Sequence, residues 1–131
     1  MAVQLNHTIV WCRDNKRSSA FLAELLDRPE PRPFGPFMIV DFDNGVSLDF
    51  YSVAFELNVQ HYAFLVTEAE FDRFFSRIQG RKIPYWADPA KHQPGRINHV
   101  FGGRGVYFDD PDGHLLELIT RPYGLEFPTA D

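Results

Sequence analysis

The stretch INHVFGGRGVYFDDPDGHLLELI, residues 97–119, decides how this chain is read. Its last part, Leu115-Leu116-Glu117-Leu118-Ile119, follows a DPDG turn and reads as a short strand buried on both faces. Glu117 stands in the middle of that apolar run. An isolated ionised carboxylate in such a strand costs roughly several kcal/mol unless it is paired or bound to a metal ion.

Working back along the chain, the same pattern occurs once more. NGVSLDF (44–50) repeats DGHLLEL (112–118) and aligns Asp49 with Glu117; Gly45 precedes Asp49 by four residues, as Gly113 precedes Glu117. LNHTIV (5–10) repeats VQHYAF (59–64) and aligns His7 with His61. The offset is 54 residues at the histidines and 68 at the carboxylates, and the extra 14 residues fit a longer connection ahead of the second hairpin. Each half therefore reads as strand, helix, three strands.

In the first half, residues 5–12 form a strand. A helix from Asp14 to Leu26 follows, with Asp14 as N-cap and Phe21, Leu22, Leu25 and Leu26 as its apolar face. Pro29, Pro31 and Pro33 end it, and strands Phe37–Phe42 and Val46–Ser52 turn at Asp43-Asn44-Gly45. In the second half, Val59–Val66 is a strand and Glu68–Gln79 a helix with Phe71, Phe74, Phe75 and Ile78 on one side. A short strand at Tyr85–Ala87, a polar loop through Gly95, and a hairpin of Gly105–Phe108 with His114–Thr120 complete it. The expected fold class is α+β: one domain over residues 1–131 made of two βαβββ modules, about 5–53 and about 59–121, with a tail over 122–131.

Composition bounds the function loosely. At 131 residues with 44% hydrophobic content, the chain is large enough for a real core and too apolar for disorder. The net charge of -5, with basic residues scattered, gives no reason to expect nucleic acid. The single cysteine, Cys12, excludes an intrachain disulfide and reads as core, facing away from His7 by strand alternation. With no N-terminal signal pattern and no long apolar run, a cytoplasmic protein that does not engage membranes is expected.

A lone histidine in a strand is ordinarily a hydrogen-bonded core residue. His7 and His61 differ because they occupy equivalent positions in two halves that also share a carboxylate position. Two imidazoles and Glu117 on strands expected to be buried point to a divalent metal. Asp49 reads equally as a fourth ligand and as an exposed strand residue. His114, directly after Gly113, reads as a turn residue; His92 has no assigned role; Arg96 and Arg104 are solvated surface by default.

With this repeat the chain resembles the vicinal-oxygen-chelate superfamily: glyoxalase I, fosfomycin-resistance thiol transferases, bleomycin-binding proteins and extradiol catechol dioxygenases. The resemblance covers nearly all of residues 5–121. It implies a curved sheet of paired βαβββ modules around a metal and ligand cavity, with ligands drawn from His7, Asp49, His61 and Glu117. Within the superfamily, residues 97–117 look most like the extradiol signature through Ile97, His99, Val106-Tyr107, Asp110-Pro111, Gly113 and Glu117. That similarity implies Fe(II) held by His7, His61 and Glu117 as a two-histidine, one-carboxylate face, open for a small substrate with two adjacent oxygens and for O₂. His99 would hydrogen-bond the bound oxygen or substrate, and Tyr107 would donate to a substrate oxygen.

The chain departs from the extradiol pattern in having no histidine between His7 and His61, so proton transfer would fall to Asp49 or to a different arrangement. If Asp49 ligates, the set resembles glyoxalase I with Zn or Ni. The same triad serves fosfomycin-type thiol transferases, where Mn is expected. A sequestering protein with a cavity lined by Trp11, Phe50, Tyr62, Trp86 and Phe101 is the non-catalytic alternative. The resemblance also implies a homodimer.

Overall fold

A computed structural model describes residues 2–122. The tail expected over 122–131 lies, from residue 123 on, outside the described residues. The elements in chain order are β1 (His7–Cys12), α1 (Asn15–Leu25), β2 (Arg32–Phe34), β3 (Phe37–Asp41), β4 (Ser47–Ser52), β5 (His61–Leu65), α2 (Glu68–Gly80), β6 (Tyr85–Trp86), a 3₁₀ turn (Val100–Gly102), β7 (Gly105–Asp109) and β8 (Leu115–Ile119). They build two four-stranded mixed sheets, ordered β1-β4-β3-β2 and β5-β8-β7-β6. Two compact units result. The first comprises the chain up to Val59 with Asp110–Asp112; the second comprises Gln60–Asp109 with the chain from Gly113 on. The α+β class and the βαβββ repeat are as the sequence predicts.

In the first unit, β1 runs parallel to β4, and β4 and β3 are antiparallel neighbours. Alternation turns Val10, Cys12, Val40, Leu48 and Phe50 to one side, where all are buried and α1 packs with Leu22, Leu25 and Leu26. The helix starts where expected: the Asp14 carboxylate accepts from the Lys16 and Arg17 amides. The proline-rich segment after α1 forms a strand that the sequence reading did not locate. Pro33 sits opposite Met38 in β2, an edge strand, which is where a sheet tolerates a residue without an N–H. Asp112 belongs to this unit. It accepts from the Arg13 amide at 3.2 Å and from the buried Ser18 hydroxyl at 2.6 Å, tying down the β1–α1 junction.

The second unit repeats the plan. β5 is parallel to β8, and β8, β7 and β6 are antiparallel in turn. Val106, Phe108, Leu116 and Leu118 are buried on one side, and Phe75 of α2 meets Tyr85 edge-on at 5.0 Å there. Thr67 and Glu70 close a reciprocal capping box at the α2 N-terminus. No helix among the described residues is long and apolar enough to cross a membrane.

Candidate metal centre

Strand register carries the repeat into three dimensions. In the second unit, His61 is level with Leu115, and Glu117, two residues further along β8, is level with Ala63. In the first unit, His7 is level with Ser47, and Asp49 is level with Ile9. Each sheet thus presents a histidine and a carboxylate from neighbouring parallel strands on the face turned away from its core side chains.

The two units treat this pair differently. In the second, the His61 Nε2 lies 3.1 Å from Glu117 Oε1, and His61 Nδ1 lies 2.9 Å from the Leu115 carbonyl oxygen. A carbonyl oxygen only accepts, so Nδ1 carries the hydrogen and donates. Nε2 then faces a carboxylate oxygen with its lone pair, and a positive species must stand between them, either a proton or a metal ion. Anchoring of Nδ1 on a carbonyl is the support that metal-binding imidazoles use to fix tautomer and ring orientation. Two ligand atoms at bonds of about 2.1 Å and a right angle lie about 3 Å apart, which the 3.1 Å separation matches. His61 and Glu117 therefore fit a divalent metal as two of its donors. Among the described residues no three His, Cys, Asp or Glu side chains are grouped as a ready-made metal cluster.

In the first unit, His7 Nδ1 donates to the Asn6 side-chain oxygen at 2.7 Å, which again leaves Nε2 as the lone-pair nitrogen. Asp49, read from sequence as either ligand or exposed residue, is buried, 8% exposed, and accepts from the Ser47 hydroxyl at 2.8 Å. Ser47 stands where the second unit has Leu115, so the first carboxylate finds a donor within its own strand. Asp is also shorter than Glu by one methylene.

Burial departs from expectation at the histidines. Both strands looked buried, yet β1 and β5 are edge strands and both histidines are exposed within their units. Glu117 is buried as expected, 8% exposed. Tyr107 is level with Glu117 across β7 and β8, and its ring stacks at 6.0 Å and 29° on His61. His61, Glu117 and Tyr107 are thereby brought together. His99 is exposed at the start of the 3₁₀ turn.

The residue that organises this segment is its neighbour Asn98, which sequence reasoning passed over. Its backbone pairs with Gly105 and its amide donates to the Ala87 carbonyl at 2.8 Å. Phe50 and Tyr62, read as cavity lining, instead alternate to the opposite faces from Asp49 and His61. His114 is no turn residue: it is fully buried, with Nδ1 accepting from the Gln60 amide at 2.9 Å. Arg104, read from sequence as solvated surface, is tied to α2 through Glu68 at 2.7 Å and Asp72 at 2.8 Å. Burial, with Asp112 nearby, pushes the Cys12 thiol up to about 11, which keeps it protonated and unsuited to nucleophilic work.

The chain is similar to several known proteins. The solved structure of Oxidase ChaP-H1 is 56% identical, with a TM-score of 0.92 over 94% of this chain and 99% of that one. Oxidase ChaP-H2 is 53% identical, with a TM-score of 0.92 over 95% and 98%. Metallothiol transferase FosB of Shouchella clausii (strain KSM-K16) is 41% identical over 61 residues, a match spanning 46% of this chain and only 37% of that protein. The model of one family matches residues 4–118, which takes in both modules and every candidate ligand: the chain belongs to the Glyoxalase/Bleomycin resistance protein/Dioxygenase superfamily.

Proposed function

We propose that the protein is a metal-dependent oxidase of the dioxygenase-like kind, acting on a small molecule with two adjacent oxygens. The observation that carries this reading is the His61–Glu117 pair, with His61 Nδ1 anchored on the Leu115 carbonyl and Nε2 facing the carboxylate at 3.1 Å. Similarity over almost the whole chain to two proteins named as oxidases favours oxygen chemistry over isomerisation. Enzymes of this superfamily typically use a divalent metal.

His61 and Glu117 are two ligands in this reading, and His7 is the third by its place in the repeat. Asp49 stays with Ser47 and leaves the set at three. The chemistry such an ion supplies, when bound, is polarisation of two adjacent substrate oxygens, with coordination positions left open for an oxidant. Fe(II) suits that role better than Zn, Ni or Mn. Tyr107, stacked beside His61, orients the substrate and donates from its hydroxyl to a substrate oxygen; His99 hydrogen-bonds the reacting oxygens from the 3₁₀ turn. A homodimer belongs to the proposal, since Ile9 and Leu65 on the edge strands β1 and β5 are apolar and exposed.

The test is oxygen uptake by Fe(II)-loaded protein with a panel of catechols and related vicinal diols. Uptake that falls about tenfold or more in Tyr107→Phe, with iron retained, is the expected result. No uptake with any diol would refute it. A second reading, thiol transfer, follows from the 61-residue similarity to a metallothiol transferase. It predicts thiol addition to an epoxide with Mn(II) and no oxygen uptake.

A further inference from the structure

On the face of the second sheet that bears His61 and Glu117 stands a second polar group that the proposed chemistry does not use. Asp109 of β7 is level with Leu115, which is level with His61. Two strand spacings separate them, about 10 Å. Asp109 Oδ2 accepts from Lys91 Nζ at 2.6 Å, and the same ammonium lies 4.6 Å from the centre of the Trp86 ring. Trp86 in turn is level with Tyr107.

Lys91 is held in place from both ends. Its backbone has φ +64, a left-handed conformation that is unfavourable for a residue with a side chain. The loop is kept in that shape by Asp88, whose carboxylate accepts from the His92 and Gln93 amides and whose carbonyl accepts from the Lys91 amide. Asp109 Oδ1 is buried and has no hydrogen-bond partner among the described residues, so Lys91 supplies that carboxylate's compensation. A surface lysine needs none of this. An ammonium has three donors, and Asp109 takes one.

We propose that Lys91 is a specificity-determining residue that donates to an uncharged carbonyl oxygen at the far end of a flat substrate whose vicinal oxygens lie at His61 and Glu117, with Asp109 as its positioning residue. This deepens the function proposed above and rests on it. The oxygen is uncharged because Asp109 already neutralises Lys91, and a substrate carboxylate placed there would face Asp109. The spanning part is flat and apolar because Leu115 and the Tyr107 ring, stacked with His61, occupy the intervening surface.

Calorimetric binding to zinc-loaded protein, which carries out no oxidation, tests the proposal with three probes sharing a catechol end. These are 4-(3,4-dihydroxyphenyl)but-3-en-2-one, with a far carbonyl; 4-butylcatechol, with none; and caffeate, with a far carboxylate. The ketone should bind about tenfold more tightly than butylcatechol, and caffeate no more tightly than the ketone. Lys91→Met should remove the ketone preference and leave butylcatechol affinity unchanged, while Lys91→Arg keeps the preference. Asp109→Asn should shift selectivity toward caffeate, which a merely structural role for Asp109 does not produce.

Equal binding of ketone and butylcatechol by the wild type, a preference that survives Lys91→Met, or no binding of any probe would overturn the proposal. The catechol end is read separately. If butylcatechol binding is indifferent to removal of zinc, the metal reading fails, whereas the ketone preference reports on Lys91 alone.

Discussion

His61 has one way to satisfy its ring nitrogens as the chain is folded: Nδ1 donates to Leu115, and Nε2 is left against a carboxylate. Everything proposed for the site begins from that choice of tautomer. Asp88 is an analogous single residue that sets a local shape. Burial works against its charge, but the donated His92 and Gln93 amides hold its carboxyl below the ordinary value of 3.8. Because the folded value is depressed, its contribution to loop order is fully present above about pH 4 and is lost as pH falls through the folded value. Amide hydrogen exchange at His92 and Gln93 should therefore accelerate, relative to the rest of the second unit, on acidification below about pH 4. In Asp88→Asn the protection of these amides, relative to the rest of the second unit, should already be low at neutral pH and unchanged by acid. Uniform protection of these two amides down to pH 2 would remove Asp88 as the organiser of the Lys91 loop.

At the scale of elements, close approach between β7 and the segment before it depends on Gly105. A Cβ there would stand 2.9 Å from Asn98 Oδ1 and 3.0 Å from its Nδ2, the amide that holds Ala87. Gly105→Ala should destabilise the protein by about 1–3 kcal/mol in denaturant titration, since Asn98 has to leave its carbonyl partner. An unchanged midpoint would show that the Asn98 clamp contributes nothing. The helices, hairpins and repeat were legible in the sequence because Asp14, the Gly45 and Gly113 turns, and the apolar periodicities act locally. The strand Arg32–Phe34 was not, because three prolines in five residues look like a break unless the strand's edge position is known. Exposure of His61 was hidden for the same reason: alternation tells which face a residue occupies, but not whether its strand lies at an edge. The Lys91–Asp109 pair joins residues 18 apart through a loop whose shape depends on Asp88, and no periodicity reports that.

For the molecule as a whole, the internal repeat gives two sheets with one register and two chemistries. In the first unit a serine satisfies the carboxylate, and in the second a leucine at the matching position leaves the carboxylate to the histidine. His–carboxylate pairing legible in the sequence as a symmetric set is thus asymmetric in the folded chain. One metal ion per chain, not two, is therefore expected, with Asp49 outside the ligand set. Elemental analysis of dialysed protein, purified without chelator or metal-affinity resin, measures this directly. The wild type and Asp49→Ala should retain about one divalent ion per chain, and the double variant His61→Ala/Glu117→Ala, folded by circular dichroism, should retain almost none. Stoichiometric metal kept by the double variant would contradict the assignment of the centre to His61 and Glu117, and metal lost on Asp49→Ala alone would contradict the exclusion of Asp49.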